Sequence, residues 1–242
     1  MAATKTKSDC AAAILELKRL GTKATRDGMA RYAIPSDKAF GVPVGVLRKL
    51  AKKLGPDHDL ATALWDSGWY EARMLACFVD EVERVTPAQM DRWCSDFDNW
   101  AICDTACFHL FDHTPHAFGR VKVWAKRKGE FARRAAFALL ASLALHDKAS
   151  PDAPFLACFP LIEAAATDER NFVKKAVSWA LRGIGARNPS LHASALELAR
   201  RLAASEETTT RWIGKDTLRD LSRPLLAKRF AAKKKRSSRA ST

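Results

Sequence analysis

Three stretches of this chain repeat one short pattern, and that repetition limits the fold more than any other feature. They are Glu71-Ala72-Arg73-Met74-Leu75-Ala76, Arg133-Arg134-Ala135-Ala136-Phe137-Ala138 and Lys174-Lys175-Ala176-Val177-Ser178-Trp179. Each sets a cation just before a run of small apolar residues. Arg73 and Arg134 are 61 residues apart, and Arg134 and Lys175 are 41 apart. A further helix-forming stretch around Trp100 lies about midway between the first two. Ala, Leu, Arg, Lys and Glu dominate nearly everything after Ser8, with no sustained two-residue alternation of the kind strands need. Helices are expected from Ala11 to Leu20, from Val42 to the Gly55-Pro56 stop, and then over 58–66, 69–84, 87–95, 98–111, 115–127, 130–146, 153–166, 169–187, 190–204 and 206–221. Thr86-Pro87, Thr114-Pro115, Lys128-Gly129, Ser150-Pro151 and Asn188-Pro189 punctuate them.

Helix pairs recurring at intervals of about 31–41 residues mark an all-α chain, an α-solenoid of HEAT-like helical repeats. Stacked repeats of this kind make a concave face. A cation repeated at one place in each unit would line that face and form a concave basic groove. The alternative is that each cation reaches solvent separately from an amphipathic helix.

Charge supports a polyanionic partner. The 242 residues carry a net +14. Arg223 to Thr242 holds eight Lys and Arg and no acid, which leaves +6 on the rest of the chain. A basic body with a basic tail suits nucleic acid, although a solubilising tail has the same composition. The expected organisation is a disordered N-terminus over 1–9, a repeat domain over 10–222 and a basic disordered tail over 223–242. The Lys233–Arg236 run would raise nonspecific DNA affinity and lose that effect in salt. Six cysteines, at 10, 77, 94, 103, 107 and 158, sit mostly in apolar runs and suit buried, reduced thiols. Met1 to Asp9 is polar, with no apolar stretch of the signal-peptide kind, and no run is long enough to span a bilayer.

The stretch Asp98 to Cys107 carries the most specific chemistry. On a helix, Trp100 and Asp104 stand four residues apart on one face, an aromatic surface beside a carboxylate. An unpaired buried charge is expensive, so Asp104 either pairs with a buried Arg or works at a site. Cys103, Cys107, His109, His113 and His116 have the residue types of a zinc site but no C-x-x-C knuckle, and the two pairs fall on different faces. No metal is expected. No Gly-rich nucleotide-binding element occurs. Trp65, Trp69, Trp93, Trp124 and Trp212 are expected in the core.

The ordered set of motifs resembles the DNA alkylation repair family of AlkD-like DNA glycosylases, which are HEAT-like repeat proteins. Met29-Ala30-Arg31-Tyr32, Phe40-Gly41-Val42-Pro43 and Leu47-Arg48 are similar to its N-terminal signature. Trp100-x-x-x-Asp104 is similar to its catalytic Trp–Asp pair, Arg134-Ala135-Ala136 to a later repeat helix, and Lys175 to Arg182 to its second Trp–Arg pair. The resemblance covers roughly residues 10–222. Relatives carry a carboxylate after the first Trp, where this chain has Ala101, and tend to have a Trp before it, where this chain has Asn99.

The resemblance implies a glycosylase that hydrolyses the N-glycosidic bond of cationic alkylated purines, such as 3-methyladenine or 7-methylguanine, in double-stranded DNA, with no cofactor. Asp104, Trp100 and Trp179 are its expected catalytic residues. Arg134 and Arg182 would hold phosphates, with Tyr32 as a further aromatic wall and Arg73, Arg133, Lys174 and Lys175 as DNA-facing cations. A monomer in the bacterial cytoplasm, near the nucleoid and without a membrane role, is the expected setting. The alternative within the same family is a non-catalytic repeat protein that binds DNA backbone or branched DNA.

Overall fold

The computed structural model describes residues 2–226, 228, 230 and 231, and the Lys233–Arg236 run lies outside them. The described residues hold fourteen α-helices and no strand, and no helix among them is long and apolar enough to cross a membrane. The expected all-α, HEAT-like helical architecture is the one observed. The chain divides into two compact units at Arg120 and Val121, where the sequence suggests one continuous repeat domain.

In the first unit, α1 (Ala2–Leu20), α2 (Lys23–Gly28), α3 (Val44–Leu54), α4 (His58–Asp66), α5 (Tyr70–Val79), α6 (Pro87–Ser95) and α7 (Trp100–His109) follow one another. Helix α8 (Ala117–Trp124) crosses the division. Helix α1 begins at Ala2, so residues expected to lack order are helical. Pro224, Leu225 and Leu226, at the start of the expected disordered tail, are helical too. Helix α5 is the hub, because α1, α3, α4 and α7 all pack on it. Its residues Ala72, Leu75 and Ala76 are fully buried, and the two alanines are small enough to admit neighbours closely. Trp65 of α4 and Trp93 of α6 stack face to face, 3.9 Å between centroids and 3° between planes, with both rings fully buried. Such a pair adds about 1 kcal/mol beyond the area it buries.

A single buried carboxylate fixes the segment between α2 and α3. Glu71, in the first turn of α5, has no solvent exposure. Its carboxylate accepts the main-chain N–H groups of Phe40 at 2.9 Å, Gly41 at 2.6 Å and Val42 at 3.1 Å. Tyr70 N–H donates to the Lys38 carbonyl at 2.8 Å, extending the attachment. Gly41 is required here: its φ is +85°, and a Cβ would lie 2.2 Å from the Thr22 carbonyl oxygen. The Phe40-Gly41-Val42 motif is thus a run of donors converging on one anion, which the helix N-terminus also favours.

The second unit contains α9 (Glu130–His146), α10 (Ala153–Leu156), α11 (Phe159–Ala165), α12 (Asn171–Gly185), α13 (Pro189–Ala203) and α14 (Thr208–Leu221). Helix α12 packs along α9, and α13 and α14 pack on α12 and on each other. Helix α9 is buried continuously from Arg134 to Ala144, as expected of a helix apolar on every side. The helix expected over 153–166 is two helices, because Pro160 sits in the first turn of α11 and cannot extend a preceding one. Gly214 lets α14 lie against α13, where a Cβ would meet the Ala203 nitrogen at 2.2 Å.

Removing the Glu71 carboxylate isolates three donors in the interior. Glu71→Ala is expected to lower the unfolding free energy by about 3–5 kcal/mol, and Glu71→Gln, which keeps one acceptor oxygen, by about 1–3 kcal/mol. Urea titration followed by circular dichroism measures both.

Candidate nucleic-acid interface

The two units are described separately, beginning with the first. Asn99 caps α7: its Oδ1 accepts the N–H groups of Ala101 and Ile102, each at 3.0 Å. It is 1% exposed, and its Nδ2 donates to Asp98 at 2.7 Å. This is what an Asn does at a helix start, and it accounts for the residue that stands where relatives tend to have Trp. Trp100 follows as the first helical residue and Asp104 comes one turn later, so the expected spacing is realised on a regular helix.

Trp100 is half-buried against a small cluster of Met29, Ile34, Ala39 and Ala101. Its indole N–H donates to the Tyr32 carbonyl at 2.7 Å. That bond ties α7 to the 3-10 turn Met29–Tyr32, which closes on Ala33 in the left-handed region at φ 53°. The Tyr32 ring is 64% exposed. The structure therefore brings Tyr32 and Trp100 together through the main chain of Tyr32 rather than its ring.

Asp104 is half-buried, with Cys103 and Cys107 buried beside it on α7. Burial pushes the Cys107 thiol well up, and the neighbouring Cys103 and the Asp104 carboxylate add to it. All six cysteines are buried and none is in a disulfide.

Arg73 is not presented on an open face. Its guanidinium lies 5.3 Å from the Trp65 ring centroid and donates to the carbonyls of Trp65 at 3.5 Å and Asp96 at 3.2 Å. It binds the ends of α4 and α6 to α5. It also borders a cavity of about 380 Å³ shared with Lys38, Tyr70, Asp98, Asn99 and Ile102. Burial pushes the Tyr70 phenol up to about 12, and the Glu71 carboxylate beside it acts in the same direction.

In the second unit the expected cations divide into three groups. Arg134 is 6% exposed; it donates to the Phe172 carbonyl at 2.8 Å and stands 5.9 Å from the Phe172 ring. It joins α9 to α12, where the sequence reading assigns it to a phosphate. Arg133 pairs with Asp168 at 2.9 Å, and Arg170 grips the same carboxylate. These bonds hold the Asp168 carboxyl down to about 2, with the Arg170 hydrogen bond as the main cause. Arg182 lies 3.5 Å from Asp216 and 3.9 Å from Asp220, so it is an ion-paired side chain rather than an open clamp. Asp216 is shared with Ser178, which donates to it at 2.7 Å, and with Arg219.

Lys175 is exposed, and Lys174 sits 5.5 Å over the ring of Trp212. Trp212 itself is 38% exposed and not core, which corrects the expectation for that residue. Trp65, Trp93 and Trp124 are fully buried as expected, whereas Trp69 is half-buried and stacks on Phe40 at 4.2 Å. Trp179 is half-buried on α12, one turn before Arg182.

Sequence reasoning missed Glu71, Asp216 and Asp220. Only the Phe40-Gly41-Val42 run, with three consecutive donors and no strand to receive them, offered a signal for the first.

The chain belongs to the DNA alkylation repair enzyme family, whose model matches residues 13–221. Among solved structures it is similar to one described as "A new family of proteins related to the HEAT-like repeat DNA glycosylases with affinity for branched DNA structures". The identity is 18%, the match covers 86% of this chain and 93% of that one, and the TM-score is 0.71. At that identity the likeness concerns the fold. Two engineered proteins match at 12% and 14% identity with TM-scores of 0.35, too low to bear on the architecture. No curated protein matches the sequence significantly.

Two outcomes follow from the second unit. Arg134→Ala is expected to cost about 2 kcal/mol of stability, through the lost hydrogen bond to Phe172 and the space left by a buried side chain, read by urea unfolding. Asp168, depressed in the folded chain, contributes fully above its unfolded pKa near 4 and loses that contribution as pH falls toward 2. The stability difference between Asp168→Asn and the native chain is therefore expected at neutral pH and to vanish toward pH 2, measured by urea titration at each pH.

Proposed function

We propose that this chain is a DNA glycosylase that removes cationic alkylated purines from double-stranded DNA. The observation that carries the reading is the anchored Trp100–Asp104 pair: a half-buried indole bonded to Tyr32, with a carboxylate one turn further along the same helix. Alkylation at a ring nitrogen makes the purine a cation and a good leaving group. As the glycosidic bond breaks, positive charge moves to the deoxyribose. Asp104 stabilises that charge and orients or deprotonates the attacking water. The face of Trp100, fixed by its own N–H bond, meets the cation at about 0.5–2 kcal/mol per contact. In the second unit, Trp179 offers an aromatic surface and Lys175 a phosphate contact to DNA. Arg182 of that unit adds to them when DNA phosphate competes with Asp216 and Asp220 for its guanidinium. No metal or cofactor is needed for a hydrolysis that the lesion's own charge drives.

A second reading, a repeat protein that holds DNA backbone or branched DNA without excision, draws on a specific observation. Arg134 and Arg182, the expected phosphate clamps, are engaged within the protein. The similar solved structure is described by its affinity for branched DNA.

Release of 7-methylguanine from alkylated duplex distinguishes the two. The native chain is expected to release the base. Asp104→Asn is expected to keep DNA affinity within about threefold and lose at least a hundredfold in release rate. Tight duplex binding by the native chain with no release would establish the second reading instead.

A further inference from the structure

We propose that a cavity between α3 and the C-terminal end of α7 is a binding site for one phosphodiester of nucleic acid. The cavity has a volume of about 440 Å³ and is bordered by Arg48, Lys52, Gly55, Pro56, Phe78 and His109. Three of these carry basic nitrogen and none carries a carboxylate. Arg48 and Lys52 stand one turn apart on the same face of α3. His109 is the last residue of α7, the helix that Trp100 begins.

The geometry holds Arg48 ready. Its guanidinium donates to His109 Nε2 at 3.1 Å and lies 5.7 Å from the Phe78 ring centroid. Phe78 in turn meets the His109 ring edge-on at 5.0 Å. A guanidinium set against a ring and an imidazole has lost much of its rotational freedom before a ligand arrives, so little entropy remains to be lost on binding.

No carboxylate among the described residues neutralises this pair. Arg84, Arg92, Arg120, Arg133, Arg182 and Arg201 each reach a carboxylate within 4.0 Å. Among the described residues, Arg48 and Lys52 reach none. Two adjacent cations with no anion repel one another, and the negative ends of α3 and α7 offset that only in part. A phosphate oxygen between them satisfies both, the Arg through its paired N–H groups and the Lys as a point charge.

The assignment rests on the reading that this chain binds DNA, and it locates one contact of the backbone. His109 stands nine positions beyond Trp100 on α7, about 14 Å along the helix and roughly four base-pair steps of DNA. The phosphate held here is therefore not the one beside the damaged nucleotide, and it positions the duplex without reading sequence.

The test compares the native full chain with the double variant Arg48→Gln, Lys52→Gln. Fluorescence anisotropy on an undamaged duplex is measured across a salt series. The slope of log affinity against log salt is expected to become shallower by about 1.8, about 0.9 for each cation removed. Thermal melting of the variant checks that it folds. In parallel, the ring nitrogen resonances of His109 are followed by NMR in the native chain. They are expected to move at micromolar duplex but only at millimolar inorganic phosphate, which distinguishes a backbone phosphate from a free one. An unchanged slope in a folded variant, or His109 resonances unmoved by duplex, would overturn the assignment. Saturation by micromolar inorganic phosphate would replace the backbone by a free anion as the ligand. Failure of 7-methylguanine release would leave these readouts intact, so the proposed reaction and this contact stand or fall separately.

Discussion

The Glu71 carboxylate is the interaction on which the first unit depends. A buried anion is tolerable only where donors surround it, and here three consecutive main-chain N–H groups do so. The consequence is more than local stability. The segment it holds runs back through Ala39 and Ile34 to the turn at Tyr32, and those residues form the cluster on which Trp100 rests. The Tyr32 carbonyl then receives the Trp100 indole. One charge on α5 thereby determines where an aromatic face on α7 can stand. Gly41 is part of the same arrangement, because only a residue without Cβ can bring the third donor round at positive φ against Thr22.

A second principle runs through both units: most of the described arginines have partners within the protein. Arg73 and Arg134 occupy equivalent places in the repeated pattern, and both donate to carbonyls of neighbouring helices. For Arg73 the acceptor is at a helix C-terminus, where carbonyls lack an intrahelical partner and a guanidinium with five donors is well shaped to collect them; for Arg134 it is in the first turn of α12 and gains a second donor. Arg187 does the same more extensively, reaching the carbonyls of Leu143, Ala144 and Ser150, with its guanidinium 3.9 Å from the Phe155 ring. Burial accordingly lowers its pKa despite nearby carboxylates. The repeated cation is therefore first a device for joining helices. The basic groups left for a polyanion include Lys175 and the Arg48–Lys52 pair.

This division explains why net charge was a good guide to the class of partner and a poor guide to the residues that meet it. A total of +14 records an excess of cations over anions, not which of them already has a partner. Asp168, Asp216 and Asp220 each lie more than thirty residues from the Arg they engage on α9 or α12. No local window of sequence contains both members of such a pair. The same holds for Trp212, whose exposure depends on where α14 docks rather than on its own neighbours in the chain.

By itself, the sequence determined the all-helical repeat class, the spacing of Trp100 and Asp104 on one helix face, and the family. Each depends on short-range periodicity or on ordered motifs, and helical geometry translates both directly into position. Only the tertiary structure decided which cations are engaged, that Asn99 and Tyr32 hold the Trp100 helix at its start, and that Glu71 supports the segment beneath it. Those outcomes depend on contacts between residues remote in the chain. There the competition between solvent, main-chain groups and opposite charges is resolved only once the helices have packed.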